Sequence, residues 1–254
     1  MSANPAIDDA LCTLLLQAHR DGRTVAVPAG LEPACAADAY AIQHALIAAR
    51  GERIAGWKVG AKSPLAPRHG AALPSDCVVP EPAYLARRDF SVLGLELELA
   101  FAFSRTFEPR PDGYSDEEVM ESLALMAASI EIVSSRVAGW PDTGKLIQLA
   151  DMQNHGALIL GVMVPVDPDF SFAAPDVELH IDERTAFIGP GTNPAGDPRR
   201  LLPWIVNHCS TQGVPLPAGH PITTGSYVGM HFPDTVETVT GRVGNLPPVR
   251  LMLV

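Results

Sequence analysis

Leu95-Glu-Leu-Glu-Leu-Ala-Phe-Ala-Phe103 is the stretch on which the reading of this chain turns. Its large apolar residues recur at every second position, the period of a strand, so Glu96 and Glu98 project from one face. That face continues as Ala100 and Ala102 and meets a hydroxyl only at Ser104, which marks a packed surface rather than a wet one. Two carboxylates side by side in a dry setting repel, and they take up protons unless a cation lies between them. A hard divalent metal is the economical explanation. The alternative is a half-exposed edge strand with two surface glutamates.

A third carboxylate follows. Ser115 and Glu118 have the spacing of a capping box, and Val119, Leu123 and Met126 fall on one side, which predicts a helix over 115–128. The segment Ser129-Ile-Glu-Ile-Val-Ser-Ser-Arg136 then reads as a short strand, with Glu131 flanked by Ile130 and Ile132. Alone, Glu131 fits a core-edge residue paired with Arg136. With Glu96 and Glu98 it makes an all-oxygen set that suits magnesium, manganese or calcium better than zinc. Cys12, Cys35, Cys77 and Cys209 are too far apart for a paired metal spacing, and no two of the eight histidines have the helical spacing of a zinc hydrolase. Packing is the expected role of each histidine.

Composition bounds the function. The chain has 254 residues, 47% hydrophobic and 19% charged, enough to bury a sizeable core, so disorder is excluded as the default. Eighteen Lys and Arg stand against 29 Asp and Glu, and the net charge of −11 opposes nonspecific nucleic-acid binding. Met1 to Asp9 lacks the pattern of a secretory leader, and no apolar run reaches the ~20 residues of a membrane span. These features, with unpaired thiols, predict a soluble cytoplasmic protein.

Ile7, Leu11, Leu14 and Leu15 form one helical stripe, and Tyr40, Ile42, Leu46 and Ala49 a second that Gly51 can end. Thr24 to Pro28 reads as a turn. In Ile54-Ala-Gly-Trp-Lys-Val-Gly60, Lys58 lies in a glycine-flanked strand where it could approach a ligand; the other reading is a solvated lysine. Residues 61–90, rich in proline and alanine, read as loop with brief extended pieces, a candidate lid or subunit contact. Farther on, Gly156 to Val164 reads as a buried strand and Val177–Ile181 with Thr185–Ile188 as a hairpin. The Gly189–Gly196 loop turns the chain into a helix that starts at Asp197 and Pro198 and ends near Gly213.

In order, Asp38-Ala-Tyr-Ala-Ile-Gln43, Gly56-Trp-Lys-Val-Gly60, Glu96-Leu-Glu98, Glu131-Ile-Val-Ser-Ser-Arg136, Ala150-Asp151, Thr223-Thr-Gly-Ser226 and Gly244-Asn-Leu-Pro-Pro-Val249 resemble the fumarylacetoacetate hydrolase superfamily. Within it the similarity is to the branch of 2-keto-4-pentenoate hydratase and 4-oxalocrotonate decarboxylase. The lysine motif departs from those hydratases, continuing as Gly60-Ala-Lys-Ser-Pro64 rather than Gly-Leu-Thr-Ser. The resemblance implies an α+β fold, a mixed β-sheet roll with an N-terminal helical region. Residues 1–85 would form a helical and loop region packed on a β-rich metal-binding core, 86–254. It implies Mg2+ or Mn2+ on Glu96, Glu98 and Glu131, Lys58 facing a small anionic 2-oxo acid, and Asp151, Thr224 and Ser226 near that substrate. It also implies a homo-oligomer and a place in aromatic catabolism. The implied activity is a metal-dependent lyase adding water to a 2-hydroxydienoate through a metal-stabilised enolate. Decarboxylation, carbon–carbon bond hydrolysis and a catalytically silent, metal-stabilised binding protein are the alternatives.

Overall fold

The computed structural model describes residues 5–254, with side chains from residue 9 onward. Among the described residues there are five α-helices: α1 Pro5–Asp21, α2 Ala36–Ala49, α3 Asp116–Met120, α4 Lys145–Ala150 and α5 Leu202–Thr211. The strands are β1 Ile54–Gly60, β2 His69–Pro74, β3 Val78–Pro80, β4 Ala83–Leu85, β5 Gly94–Phe103, β6 Leu123–Val133 and β7 His155–Leu160. They continue as β8 Val164–Pro165, β9 Asp176–Ile181, β10 Arg184–Pro190, β11 Ile222–Ser226, β12 Thr238–Val243 and β13 Val249–Leu253.

The strands make two sheets. The larger runs β2-β1-β11-β5-β6-β7-β3, with β8 on β6, and the smaller runs β10-β9-β12-β13-β4. The larger is mixed: β11 lies parallel to β1 and antiparallel to β5. Gly241 on β12 is where the sheets meet, since a side chain there would collide with Leu97 on β5. This is the expected α+β roll. Leu11 and Leu15 of α1 are fully buried and Leu14 half-buried, whereas Ile7 lies outside the residues whose side chains are described.

Two expectations need correction. The capping box forms, with Ser115 Oγ accepting from the Glu118 N–H, but α3 stops at Met120 and the residues assigned to its last turns begin β6. A short apolar run such as Leu123–Ala128 suits a buried helix and a buried strand equally. Pairing decides it, because β6 matches β5 from Leu123↔Phe103 to Val133↔Gly94. The extended pieces within 61–90 are likewise more than brief interruptions of a loop, because they join the sheets. β1, β2 and β3 pair inside the larger sheet and β4 inside the smaller, and within 61–90 the longest irregular stretch is 61–68. The alanines of β2 looked like loop composition because small residues are what fit beneath α2 and α5. A Cβ on Gly70 would lie 2.8 Å from Ile205 Cδ1.

Candidate functional site

Register assembles the site. Glu96 on β5 stands directly opposite Glu131 on β6, and Glu98 lies beside Ser129 on one flank and Ser226 of β11 on the other. Lys58 on β1 is level with Thr223 of β11. Like charges in direct cross-strand pairs destabilise a sheet, so the pairing is costly unless something compensates it. Oxygens of Glu96, Glu98 and Glu131 all lie within 4.8 Å of one another. Glu131 is 0% and Glu98 2% exposed, and Glu96 is half-buried.

Lys58 supplies part of the compensation. Its Nζ donates to Glu131 Oε1 at 2.5 Å. Burial works against the charge on each of them. The three carboxylates outweigh it and raise Lys58, while Lys58 and a hydrogen bond from His155 hold Glu131 below the usual carboxylate range. Glu96 and Glu98 have no such direct partner. Burial, then the neighbouring carboxylates, push Glu96 up to about 8 and Glu98 up to about 7. The protein holds one lysine against three clustered carboxylates, a donor set in want of a cation.

The free oxygens fit that need. Glu98 Oε2 accepts from the Thr223 hydroxyl and from the Gly225 N–H at 2.8 Å, which leaves Oε1 without a donor among the described residues. Glu131 Oε2 is buried and unpartnered, while Oε1 accepts from both Lys58 and His155 Nδ1, the latter at 2.8 Å. Hard carboxylate oxygens in this number, with the nitrogens of Lys58 and His155 both engaged on Glu131 Oε1, suit Mg2+, Mn2+ or Ca2+.

The Gly225 donor exists because β11 is irregular between Thr223 and Ser226. Gly225 takes a φ of +93°, a value glycine tolerates at little steric cost. Asn193, from the Gly189–Gly196 loop, clamps this kink by donating Nδ2 to the Thr224 and Gly225 carbonyls at 3.0 and 2.9 Å. The loop thus has a second task besides leading into α5.

The remaining expected site residues make hydrogen bonds within the fold. Asp151 is wholly buried and takes Arg136, with Oδ1 on Nε at 2.7 Å and Oδ2 on the Arg136 N–H at 3.0 Å. Arg136 therefore pairs with Asp151, not Glu131. Thr224 donates to the Leu99 carbonyl at 2.8 Å and Ser226 to the Gly229 carbonyl at 2.7 Å. All three use their polar atoms to brace the strands. Thr223, Gly225, Asn193 and His155 are the residues that sequence reasoning left without a role. For Thr223 and His155 the signal lies only in register, which spans more than 120 residues for Thr223 and Glu98.

Comparison with known proteins follows this geometry. No protein-family model matches the chain. It is 27% identical over 256 residues, 95% of each chain, to a 2-keto-4-pentenoate hydratase of Paraburkholderia phymatum. It is 28% identical over 252 residues, 93% of each, to a 2-keto-4-pentenoate hydratase of Burkholderia vietnamiensis. The chain is thus similar over nearly its whole length to 2-keto-4-pentenoate hydratases. The fold agrees: 4-oxalocrotonate decarboxylase from Pseudomonas putida G7, complexed with magnesium and adipate, superposes with a TM-score of 0.83 at 18% identity, covering 100% of this chain and 99% of that one. No helix among the described residues is long and apolar enough to cross a membrane.

Proposed function

We propose that this protein is a lyase dependent on a divalent cation, Mg2+ or Mn2+, that adds water to a small 2-hydroxydienoate, as a 2-keto-4-pentenoate hydratase does. One observation carries the reading: three carboxylates and one lysine converge on a buried sheet face, with Glu98 Oε1 and Glu131 Oε2 left free. Glu96, Glu98 and Glu131 would hold the cation. When bound, it supplies a Lewis acid for the carboxylate and carbonyl oxygens of a 2-oxo acid and so lowers the energy of the enolate.

The chain's own groups do the rest. Lys58 sits beside the cluster with only 13% of its side chain exposed, so its ammonium charge acts in a medium that screens weakly. Turned from Glu131 toward a ligand, Nζ would offset negative charge developing on the substrate oxygen as the dienol ketonises. Ketonisation leaves C4 electrophilic through conjugation with the C2 carbonyl, and water adds there. Thr223 and the Gly225 N–H hold Glu98 in one orientation throughout. Asp151, Thr224 and Ser226 support the pocket walls from behind rather than touching substrate. The four free thiols are consistent with a cytoplasmic location, and homo-oligomeric assembly completes the reading.

The same electron sink would serve a second reaction, release of carbon dioxide from a 4-oxalocrotonate-type acid, and the superposition with the decarboxylase supports keeping it in view. Products separate the two. Purified protein incubated with 2-hydroxypenta-2,4-dienoate and Mg2+ should consume the dienol and yield a hydrated 2-oxo acid, and chelator should stop it. Carbon dioxide from the dioic substrate without hydration of the dienoate would select the decarboxylase, and turnover of neither would reject both.

A further inference from the structure

Glu131 differs from the other two carboxylates in having two donors on one oxygen. Lys58 Nζ lies 2.5 Å and His155 Nδ1 2.8 Å from Oε1, and Oε2 has no partner. An ammonium group can only donate, so an oxygen it shares with an imidazole receives a hydrogen from each. Nδ1 of His155 therefore carries a hydrogen and donates it to Glu131.

The two donors are unlike in mobility. Lys58 stands on a long flexible stem and carries the charge a substrate anion requires. His155 is short, 1% exposed, and delivered by a turn in which Met152, Gln153 and Asn154 all have positive φ, at 50°, 52° and 58°. Three successive non-glycine residues in that region persist only where the surroundings hold them. Here Asn154 N–H donates to the Asp151 carbonyl at 2.8 Å, Ser134 N–H to the Asn154 carbonyl at 2.7 Å, and Arg136 to the Asp151 and His155 carbonyls.

A lysine that moves to a substrate must leave Oε1. The terminal torsion of a glutamate is broad and roughly two-fold, so a carboxylate that loses its only donor can exchange its two oxygens. We propose that His155 is a positioning residue, which keeps Glu131 Oε2 directed at the cation while Lys58 is released to the substrate. The inference rests on the cation reading above and adds what allows the lysine to serve two partners in turn.

Binding of Mn2+, followed by the electron paramagnetic resonance signal of the free ion, tests this without any turnover. The amide nitrogen of asparagine falls where Nδ1 lies in histidine, whereas that of glutamine falls near Nε2. His155→Asn should therefore stay within about threefold of the parent dissociation constant, and His155→Gln and His155→Ala should weaken binding by about 10- to 100-fold, the usual effect of removing a group that orients a metal ligand. The loss caused by His155→Ala should grow further when Lys58 is also Met, because the shared oxygen then has no donor. If Ala fails to fold, the contrast of Asn with Gln decides. Parent binding with Asn, Gln and Ala all alike overturns the role of His155 alone, and a parent that binds no Mn2+ overturns the cation reading and this inference together.

Discussion

Replacing one of the clustered carboxylates should stabilise the protein in chelator, and Glu98→Gln shows by how much. Burial and the Glu131 charge raise the Glu98 carboxyl from 4.5 to about 7. Each tenfold in proton affinity is worth about 1.4 kcal/mol, so keeping Glu98 ionised at pH 8 costs the cation-free fold about 3 kcal/mol. The sign is fixed by which state binds more protons. Between pH 4.5 and 7 the native carboxyl holds its proton more tightly than the unfolded one, so stability falls as pH rises through that window, and the full cost is present above it. Glutamine removes the charge, while its amide oxygen can still accept from Thr223 and Gly225. Glu96, held up partly by Glu98, is relieved as well. Calorimetry in chelator at pH 8 should therefore show a variant more stable by up to about 3 kcal/mol, or roughly 6–12 °C in Tm for a chain of this size. At pH 5 the advantage should fall to less than about 1 kcal/mol. With Mn2+ the order should reverse, since the parent gains a ligand-linked stabilisation that the variant has largely lost. A Glu98→Gln protein less stable than the parent in chelator at pH 8 would refute the crowding of charge on which the site is built.

Lys58→Met should retain Mn2+ but lose about 10²- to 10³-fold in kcat/KM for any 2-hydroxydienoate the parent accepts, as expected when charge stabilisation is removed from a reacting oxygen; equal kcat/KM would remove Lys58 from the mechanism. Arg136→Met leaves Asp151, whose carboxyl burial already pushes up, without its cation, and urea unfolding should register a loss of about 3–5 kcal/mol, with less than about 1 kcal/mol contradicting a structural ion pair. Gly161→Ala places a Cβ 2.5 Å from the Ala128 carbonyl oxygen and should cost about 1–3 kcal/mol, whereas Gly60→Ala meets nothing within 4 Å and should stay within about 0.5 kcal/mol; equal melting points for the two would discount the packing described here.

Much of the site was legible because strand alternation is strict. Glu96, Glu98 and Glu131 announce themselves as charges where the flanking residues demand burial, and the hairpin of β9 and β10 and the start of the helical segment at Asp197 follow from local signals. The partner of Arg136 was not legible: β6 is irregular between Ile132 and Val133 and ends there, and the chain beyond it brings Arg136 to Asp151 instead of Glu131. What stayed hidden depends on partners distant in sequence. The run Leu123–Ala128 has no local feature that prefers strand to helix, the alanines of β2 resemble a loop until α2 and α5 cover them, and neither Thr223 nor His155 differs from an ordinary core residue until register sets it against a glutamate.

The place of β11 in the larger sheet bears on how the molecule is made. Residues 222–226 sit between β1 and β5, strands that left the ribosome more than a hundred residues earlier. Until this late segment emerges, β1 and β5 have no common neighbour, and each keeps an unpaired edge. The three glutamates meet as soon as β6 pairs with β5, whereas Lys58 on β1 joins them only when β11 lies between β1 and β5. Topology thus sets the order of events: the sheet is closed from the middle, by a strand synthesised long after both of its neighbours, and the charged centre is completed in the same step.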